Sequence, residues 1–391
     1  MKNISNIDLS EKTVLVRCDY NVSVKKGKVI DDFRITESIP TIRYLIDSGA
    51  KIILMSHMGR PENQKSLKNK GKERDVQFSL RPVYHELEKH FEDVSFVEDC
   101  VGKQVKNKAE EMREGEILLL ENLRHYRDEE ECTPDFSSAL AELGDVYVNN
   151  AFSASHRKHA SIWGVPKILP AYPGLLFERE VGVLSNLKTE AERPFVVLVG
   201  GAKISSKVKT IEYFIDKADK ILLGGKTANT ALALKGVMNM KIPKDTKEKV
   251  KNINLDSKKI ELPVDVVSAE NPQDRSEVVP VSALPEGWKA FDIGLKTVDK
   301  YSTILKKAGT IVWGGPLGYF ENERFEEGTR QIGKEVAKND KALTVIGGGD
   351  TAYAMKKFDL RNSIDHVSLG GGAMLNFLSD GSMPGLDILK K

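Results

Sequence analysis

Near its C-terminal end the chain writes one phrase twice, "VIGGGDTAYAM" at residues 345–355 and "VSLGGGAMLNF" at residues 367–377. Each phrase sets three consecutive glycines between a short apolar run and a segment of helical character. Glycine loses more backbone freedom on folding than any other residue, so a doubled triplet needs a physical reason. A strand that turns directly into a helix supplies one. The turn needs small residues, and the first amides of the helix, backed by its dipole, then face an anion.

The same order of events recurs along the whole chain. Apolar, β-branched-rich runs begin near Thr13, Lys51, Val94, Glu116 and Asp145, then near Phe195, Lys220, Val264, Thr310, Leu343 and His366. Most end in Gly, Asp, Asn or His, and segments of helix length lie between them. Runs without alternation predict strands buried on both faces. Strands alternating with helices predict parallel α/β sheets. Residues 167–195, "KILPAYPGLLFEREVGVLSNLKTEAERPF", divide the runs into five and six, and Phe177, Val181 and Leu184 give this stretch helical spacing. The reading is two α/β domains of similar size joined by a helix. The charged stretch at 241–259 reads as a solvated helix and loop.

Composition narrows the function. The 391 residues include 59 basic and 57 acidic side chains, a net charge of +2. Phosphate-backbone binding wants a clear basic excess, so nucleic acid is excluded as an expected partner. Cys18, Cys100 and Cys132 are far apart and form no CxxC or Cys/His spacing, which argues for a reducing compartment and no structural zinc. The start, "MKNISNIDLSEKTV", lacks a signal-peptide core, and no run approaches a membrane span of roughly 18 apolar residues. A cytoplasmic location and no membrane partner are expected.

In open parallel sheets, ligands bind beyond the carboxyl ends of the strands. In the first half those ends carry Arg17, Asp19 and Asn21, then His57 and Arg60, then Asn122 and Arg124, then His156, Arg157 and His159. Arg34 follows a hairpin-like stretch, "VKKGKVIDDFRIT". Any one of these arginines serves equally well as the partner of a surface carboxylate. Their recurrence at four successive strand ends points instead to a small, multiply anionic ligand. In the second half the ends carry Gly200-Gly201-Ala202-Lys203, Gly224-Gly225-Lys226, Gly314-Gly315-Pro316 and the two triplets. A single Gly-Gly turn is often only packing. Repeated at five strand ends, such turns read as a cradle for nucleotide phosphates. Neither a P-loop nor a GxGxxG fingerprint is present. Lys203 and Lys207, four apart, are expected on one helix face as point charges. Asp350 suits either a magnesium-side carboxylate or a helix N-cap.

These residues carry a family resemblance. "RCDYNV", "SHMGRP", "LLLENLR", "NNAFSASHRKHAS", "VGGAKISSK", "LPVDVV", "VWGGPLGYFE", "IGGGDTA", "VSLGGGA" and the closing Pro384-Gly385 resemble phosphoglycerate kinases, in that family's order and across essentially the whole chain. The resemblance implies two Rossmann-like three-layer domains with parallel sheets joined by a hinge helix. It places an N-terminal phosphoglycerate domain at 1–170, the interdomain helix at 171–192 and a C-terminal nucleotide domain at 193–375. A segment at 376–391 would return to the first domain.

The implied activity is reversible phosphoryl transfer between 1,3-bisphosphoglycerate and ADP, giving 3-phosphoglycerate and ATP, with Mg2+ and ATP/ADP as co-substrate. By motif, Asp19, Asn21, Arg34, His57, Arg60, Arg124 and Arg157 would hold the phosphoglycerate. Lys203, Lys207, Gly294, Glu321, Gly348, Gly349, Asp350 and Thr351 would hold the nucleotide, with Asp350 toward the metal. Arg34, Lys203, Gly371 and Gly372 would meet the transferred group. A monomer is expected. Asn150, Ser206 and Gly314 depart from the family's usual Asp, Asp and Asn, and Cys18 and Phe33 are also unusual. A catalytically weak nucleotide-binding scaffold on this fold is the alternative, disfavoured by the retained Arg34, Lys203 and triplets. A dinucleotide-dependent dehydrogenase lacks its fingerprint here.

Overall fold

A computed structural model describes residues 3–62, 75–202, 204, 207–251 and 253–390. The chain divides into two compact units, one of residues 1–184 with 380–391, the other of residues 185–379. Helix Leu175–Thr189 carries the chain from the first into the second.

The first unit is built on a six-stranded parallel sheet. Its strands are β1 (Thr13–Arg17), β2 (Lys51–Met55), β3 (Val94–Val97), β4 (Ile117–Leu120), β5 (Val146–Asn149) and β6 (Ala171–Pro173), in the order β3-β4-β2-β1-β5-β6. Val16 of β1 lies opposite Leu54 and Val148. Successive side chains on a strand point to opposite faces, so the apolar runs feed two cores. Val14, Val16, Ile52 and Leu54 join Ile42, Leu45, Val83 and Leu87 from helices Ile39–Asp47 and Arg81–Leu87. Leu15, Ile53, Leu118 and Leu120 join Val105, Phe136 and Leu140 from helices Lys103–Glu110 and Pro134–Ala141. Each such side chain contributes about 1.5–3 kcal/mol of burial before its ordering cost. The result is three layers with every strand's carboxyl end on one edge. The chain leaves β1 toward β2 and later returns to lay β5 on the other side. Loops diverging there open a crevice at the sheet edge. The C-terminal residues pack onto this unit, where the Gly385 amide donates to the Ser155 carbonyl (2.8 Å).

The second unit repeats the plan. Its strands are β7 (Phe195–Val199), β8 (Lys220–Leu223), β9 (Ile260–Glu261), β10 (Asp265–Ala269), β11 (Glu277–Pro280), β12 (Lys289–Ile293), β13 (Thr310–Gly314), β14 (Leu343–Gly347) and β15 (His366–Ser368). Six form a parallel sheet ordered β9-β8-β7-β13-β14-β15. Val196, Leu198, Leu222, Ile311, Trp313 and Ile346 anchor one of its faces. The run near Val264, expected in the parallel sheet, is β10, the centre of a separate antiparallel sheet ordered β11-β10-β12. The connection at 270–276 between β10 and β11 is too short for the crossover that parallel pairing requires. The short edge strands β6 and β9 are likewise absent from a reading based on long apolar runs. Among the described residues, no helix is long and apolar enough to cross a membrane.

Candidate active site

At the carboxyl edge of the first unit's sheet, one buried carboxylate organises the basic side chains. Asp19, just beyond β1, accepts from Arg34 and from the Ser153 hydroxyl through Oδ2, and its Oδ1 accepts from the Asn21 amide (3.1 Å). His57 lies with Nδ1 3.9 Å from the other Asp19 oxygen, Oδ1. The Arg17 guanidinium, 1% exposed, donates from Nη2 to His57 Nδ1 (3.2 Å) and from Nε to Ser161 Oγ (2.8 Å). Ser161 in turn donates from Oγ and from its amide to the buried Glu129 carboxylate (2.6 and 2.9 Å). Gly59 joins the second strand's loop to the others: its amide donates to Asn21 Oδ1 (2.8 Å) and its carbonyl accepts from Arg124 (2.7 Å). Arg157, half-buried, donates to His156 Nε2 (3.1 Å). Arg60 follows Gly59 and is exposed.

The charges in this pocket act on one another. Burial pushes the Asp19 carboxyl up, but Arg34, the Ser153 hydroxyl and Arg17 more than offset it and hold it well below the usual range. Burial lowers His57 despite Asp19, with Arg17, Arg124 and Arg34 adding to the effect. An arginine has no acceptor to offer, so its bond to Nδ1 also fixes His57 as a neutral imidazole. Burial, followed by Arg157, lowers His156, and burial with Arg17, Arg124 and Arg157 lowers His159 to about 3. Burial also pushes Arg124 down, to about 10. The pocket therefore offers fixed arginine charge beside neutral imidazoles, a set that can gain both bonds and protons when an anion enters.

In the second unit the glycine turns divide into two groups. The pairs after β7, β8 and β13 pack against each other. A Cβ on Gly200 would meet the Pro316 carbonyl at 2.1 Å, and one on Gly315 would meet the Gly200 carbonyl at 2.5 Å. Their amides are already spent on scaffold, since Gly201 N donates to Pro316 O (2.9 Å) and Gly225 N to Leu317 O (2.8 Å). The expectation that every glycine turn presents amides to phosphate is corrected accordingly: adjacent parallel strands hold these turns close enough to bond one another.

The triplets are different. They follow the neighbouring strands β14 and β15 and open helices Gly349–Lys357 and Gly371–Asp380, whose first-turn amides have no intrahelical acceptor. Gly348 has φ +102°, and Gly349 and Gly372 have nothing within 4 Å of a Cβ position. Thr351, fully buried, accepts from the Gly315 amide (2.8 Å) and ties the first helix to β13.

Two cavities lie along this edge. The smaller, about 270 Å³, is lined by Lys207, Gly314, Gly348, Gly349, Thr351 and Gly372, with Gly371 and Asp350 beside them. The larger, about 430 Å³, is lined by Phe291, Pro316, Tyr319, Glu321 and again Asp350. Burial lowers the Lys207 ammonium, opposed by Asp350. The structure thus gathers every described nucleotide-side candidate except Gly294. That glycine caps helix Leu295–Leu305 and leaves room for the Asp265 carboxylate, which a Cβ would meet at 2.3 Å. Lys203 lies outside the described residues, as does Ser206. Lys207 is the N-cap of helix Val208–Ile215, and the face it was expected to share with Lys203 lies outside the described residues. Asp350 is not the N-cap that sequence allowed. Gly348 holds that position, and Asp350 sits exposed in the first turn, facing both cavities. Among the described residues no cluster of three His, Cys, Asp or Glu could hold a metal by protein ligands alone. One exposed carboxylate beside open helix N-termini fits a Mg2+ ion held chiefly through a ligand's phosphates rather than by protein ligands.

Sequence reasoning missed Ser153, Phe291 and Tyr319. A serine in a loop and two aromatics near a strand end carry no signal until the fold brings them to a site.

The model of the family described as phosphoglycerate kinase matches residues 4–381. The chain is 41% identical to a phosphoglycerate kinase of Aquifex aeolicus over 98% of this chain and 96% of the relative. It is 40% identical to one of Thermus thermophilus over the whole of both. Among solved structures it superposes on phosphoglycerate kinase from Pyrococcus horikoshii with a TM-score of 0.85 at 30% identity, covering 100% of this chain and 98% of that one.

Proposed function

This chain belongs to the phosphoglycerate kinase family and is a transferase, and from that premise we propose that it moves a phosphoryl group reversibly between 1,3-bisphosphoglycerate and ADP as a cytoplasmic, monomeric, glycolytic enzyme. The observation that carries this reading is the division of labour between two sheet edges. One bears the Asp19-centred arginine–histidine pocket, the other the helix N-termini at Gly348–Gly349 and Gly371–Gly372.

In the ATP-consuming direction the attacking group is the carboxylate of 3-phosphoglycerate, already ionised near neutral pH. No general base is needed, and catalysis rests on positioning and charge stabilisation. Arg34, Arg124, Arg157 and His57 hold the substrate's anionic groups, while Asp19 orients Arg34 and the substrate hydroxyl. Lys207 and the amides of the two triplets hold the nucleotide phosphates and the group in transfer. Asp350 would help to hold Mg2+ with the phosphates, and the bound ion would supply charge neutralisation there. Substrate and nucleotide residues belong to different units, so in-line transfer requires hinge closure that brings them together and excludes water.

The test is a coupled assay with ATP and 3-phosphoglycerate that follows acyl-phosphate formation, with and without Mg2+. Mg2+-dependent turnover is expected, and Arg34→Ala should lower it roughly 10²–10³-fold, as for other preorganised charge stabilisers, with an unchanged circular dichroism spectrum. Nucleotide binding without turnover would establish the scaffold reading instead.

A further inference from the structure

Glu129, in the short helix Arg127–Glu131, is a fully buried carboxylate that phosphoryl transfer does not use directly. It meets Ser161 twice, accepting from the hydroxyl at Oε1 (2.6 Å) and from the amide at Oε2 (2.9 Å). With its hydrogen given to Glu129, the Ser161 hydroxyl keeps its lone pairs, and one accepts from Arg17 Nε (2.8 Å). Arg17 Nη1 donates to the Cys18 carbonyl, and Nη2 donates to His57 Nδ1 (3.2 Å). Arg17, 1% exposed, thus spends all three nitrogens on the protein, contrary to the expectation of an anion ligand at this strand end. A buried guanidinium needs a counter-charge. Burial raises the Glu129 carboxyl and Arg17 is the largest opposing influence, so each charge favours the other. His159 Nδ1 lies 3.8 Å from Glu129 Oε1, but burial and the arginines keep that imidazole neutral.

Two groups compete for His57 Nδ1. Asp19 Oδ1 lies 3.9 Å away, and a carboxylate draws a proton onto the nitrogen that faces it. Arg17 requires a lone pair there. The two partners favour different tautomers, and Arg17 is the one within hydrogen-bond distance. Nδ1 therefore accepts, and the ring proton sits on Nε2, the nitrogen left to donate to an anion. We propose that Glu129 is a positioning residue for phosphoryl transfer: through Ser161 it anchors the Arg17 guanidinium, and Arg17 holds His57 as the Nε2–H tautomer that donates to the substrate. This rests on reading the first unit as the phosphoglycerate side. The relay is directional. Glu129→Gln keeps the volume, but a primary amide has one acceptor atom for the two Ser161 donors. Either the Ser161 amide loses its acceptor, or the new NH2 donates to Ser161 Oγ and turns the hydroxyl hydrogen toward Arg17 Nε. Both displace the anchor of Arg17.

The experiment is long-range proton–nitrogen correlation NMR of the histidine rings in the full chain, with His57 assigned by its loss in His57→Gln, alongside steady-state kinetics. Wild-type His57 should show the Nε2–H pattern. Glu129→Gln and Ser161→Ala should each move it toward the Nδ1–H pattern. Each should also raise KM for 3-phosphoglycerate about tenfold, as for one weakened hydrogen bond to a charged group, with KM for ATP within about twofold of wild type. Ser161→Ala carries the test if Glu129→Gln does not fold. A wild-type Nδ1–H pattern overturns the proposal, as does an unchanged Nε2–H pattern in a folded variant or a parallel rise in both KM values. A lower melting temperature with tautomer and KM unchanged would make Glu129 structural only, which also overturns it. A wild-type chain without turnover overturns the kinase reading instead, and the tautomer shift then still decides the relay to His57.

Discussion

Gly371 and Gly372 are neighbours in the chain and face different surroundings. A Cβ at Gly371 would meet Gly348 Cα at 2.7 Å and Gly348 N at 3.0 Å, whereas one at Gly372 meets nothing within 4 Å. The doubled triplet thus has two separable causes. Part of it lets two strand-to-helix turns touch, and part keeps the space before the helix amides clear. Gly371→Ala should lower the melting temperature of the second unit, with a cost of about 1–3 kcal/mol as in overpacked cores. Gly372→Ala should leave melting unchanged and reduce turnover, because its methyl enters the cradle. Differential scanning calorimetry and the coupled assay separate the two, and equal melting temperatures would remove the packing account. Sequence alone made the triplets visible as costly and repeated. It could not divide their roles, because the division depends on β14 and β15 being adjacent. The same limit hid Ser153, whose bond to Asp19 spans more than a hundred residues of chain.

At the scale of elements, the long uninterrupted apolar runs were legible because a strand buried on both faces has no polar alternation to blur it. What the runs lack is any mark of their partner. β10 has the same apolar character as the parallel strands yet pairs antiparallel. Its first residue also explains a glycine that motif comparison assigned to the nucleotide. Asp265 accepts from the amides of Lys296 (3.1 Å) and Thr297 (2.8 Å) and from the Thr297 hydroxyl (2.6 Å), so it caps helix Leu295–Leu305 from outside the helix. Asp265→Ala would leave the buried Thr297 amide without its acceptor, at about 1–3 kcal/mol. The expected outcome is a lower melting temperature for the second unit, with the Kd for 3-phosphoglycerate unaltered.

For the molecule as a whole, two buried groups bound the pH range of stability from opposite sides. His159 has a folded pKa of about 3 against an ordinary 6.5, because burial and then Arg17 and Arg124 oppose its charge. It binds fewer protons folded than unfolded, so its contribution is complete above about 6.5 and is lost as pH falls toward 3. Asp292 is raised by burial to about 8 against 3.8, although the Gly328 and Ile293 amides donate to it. It binds more protons folded, so stability declines as pH rises from about 3.8 to 8 through this group. His159→Gln should flatten the acid limb of a melting-temperature profile for the first unit. Asp292→Asn should flatten the rise-of-pH limb for the second. Unchanged slopes in both variants would contradict the assignment of these limbs.

The C-terminal residues bear on how the molecule is made. The second unit is one continuous stretch, 185–379, whereas the first begins at the N-terminus and is completed only by 380–391. Gly385, which closes onto Ser155, leaves the ribosome after every residue of the second unit has done so. The unit synthesised first is therefore the last to be finished, and a polypeptide released early would carry a whole second unit beside an unclosed first one.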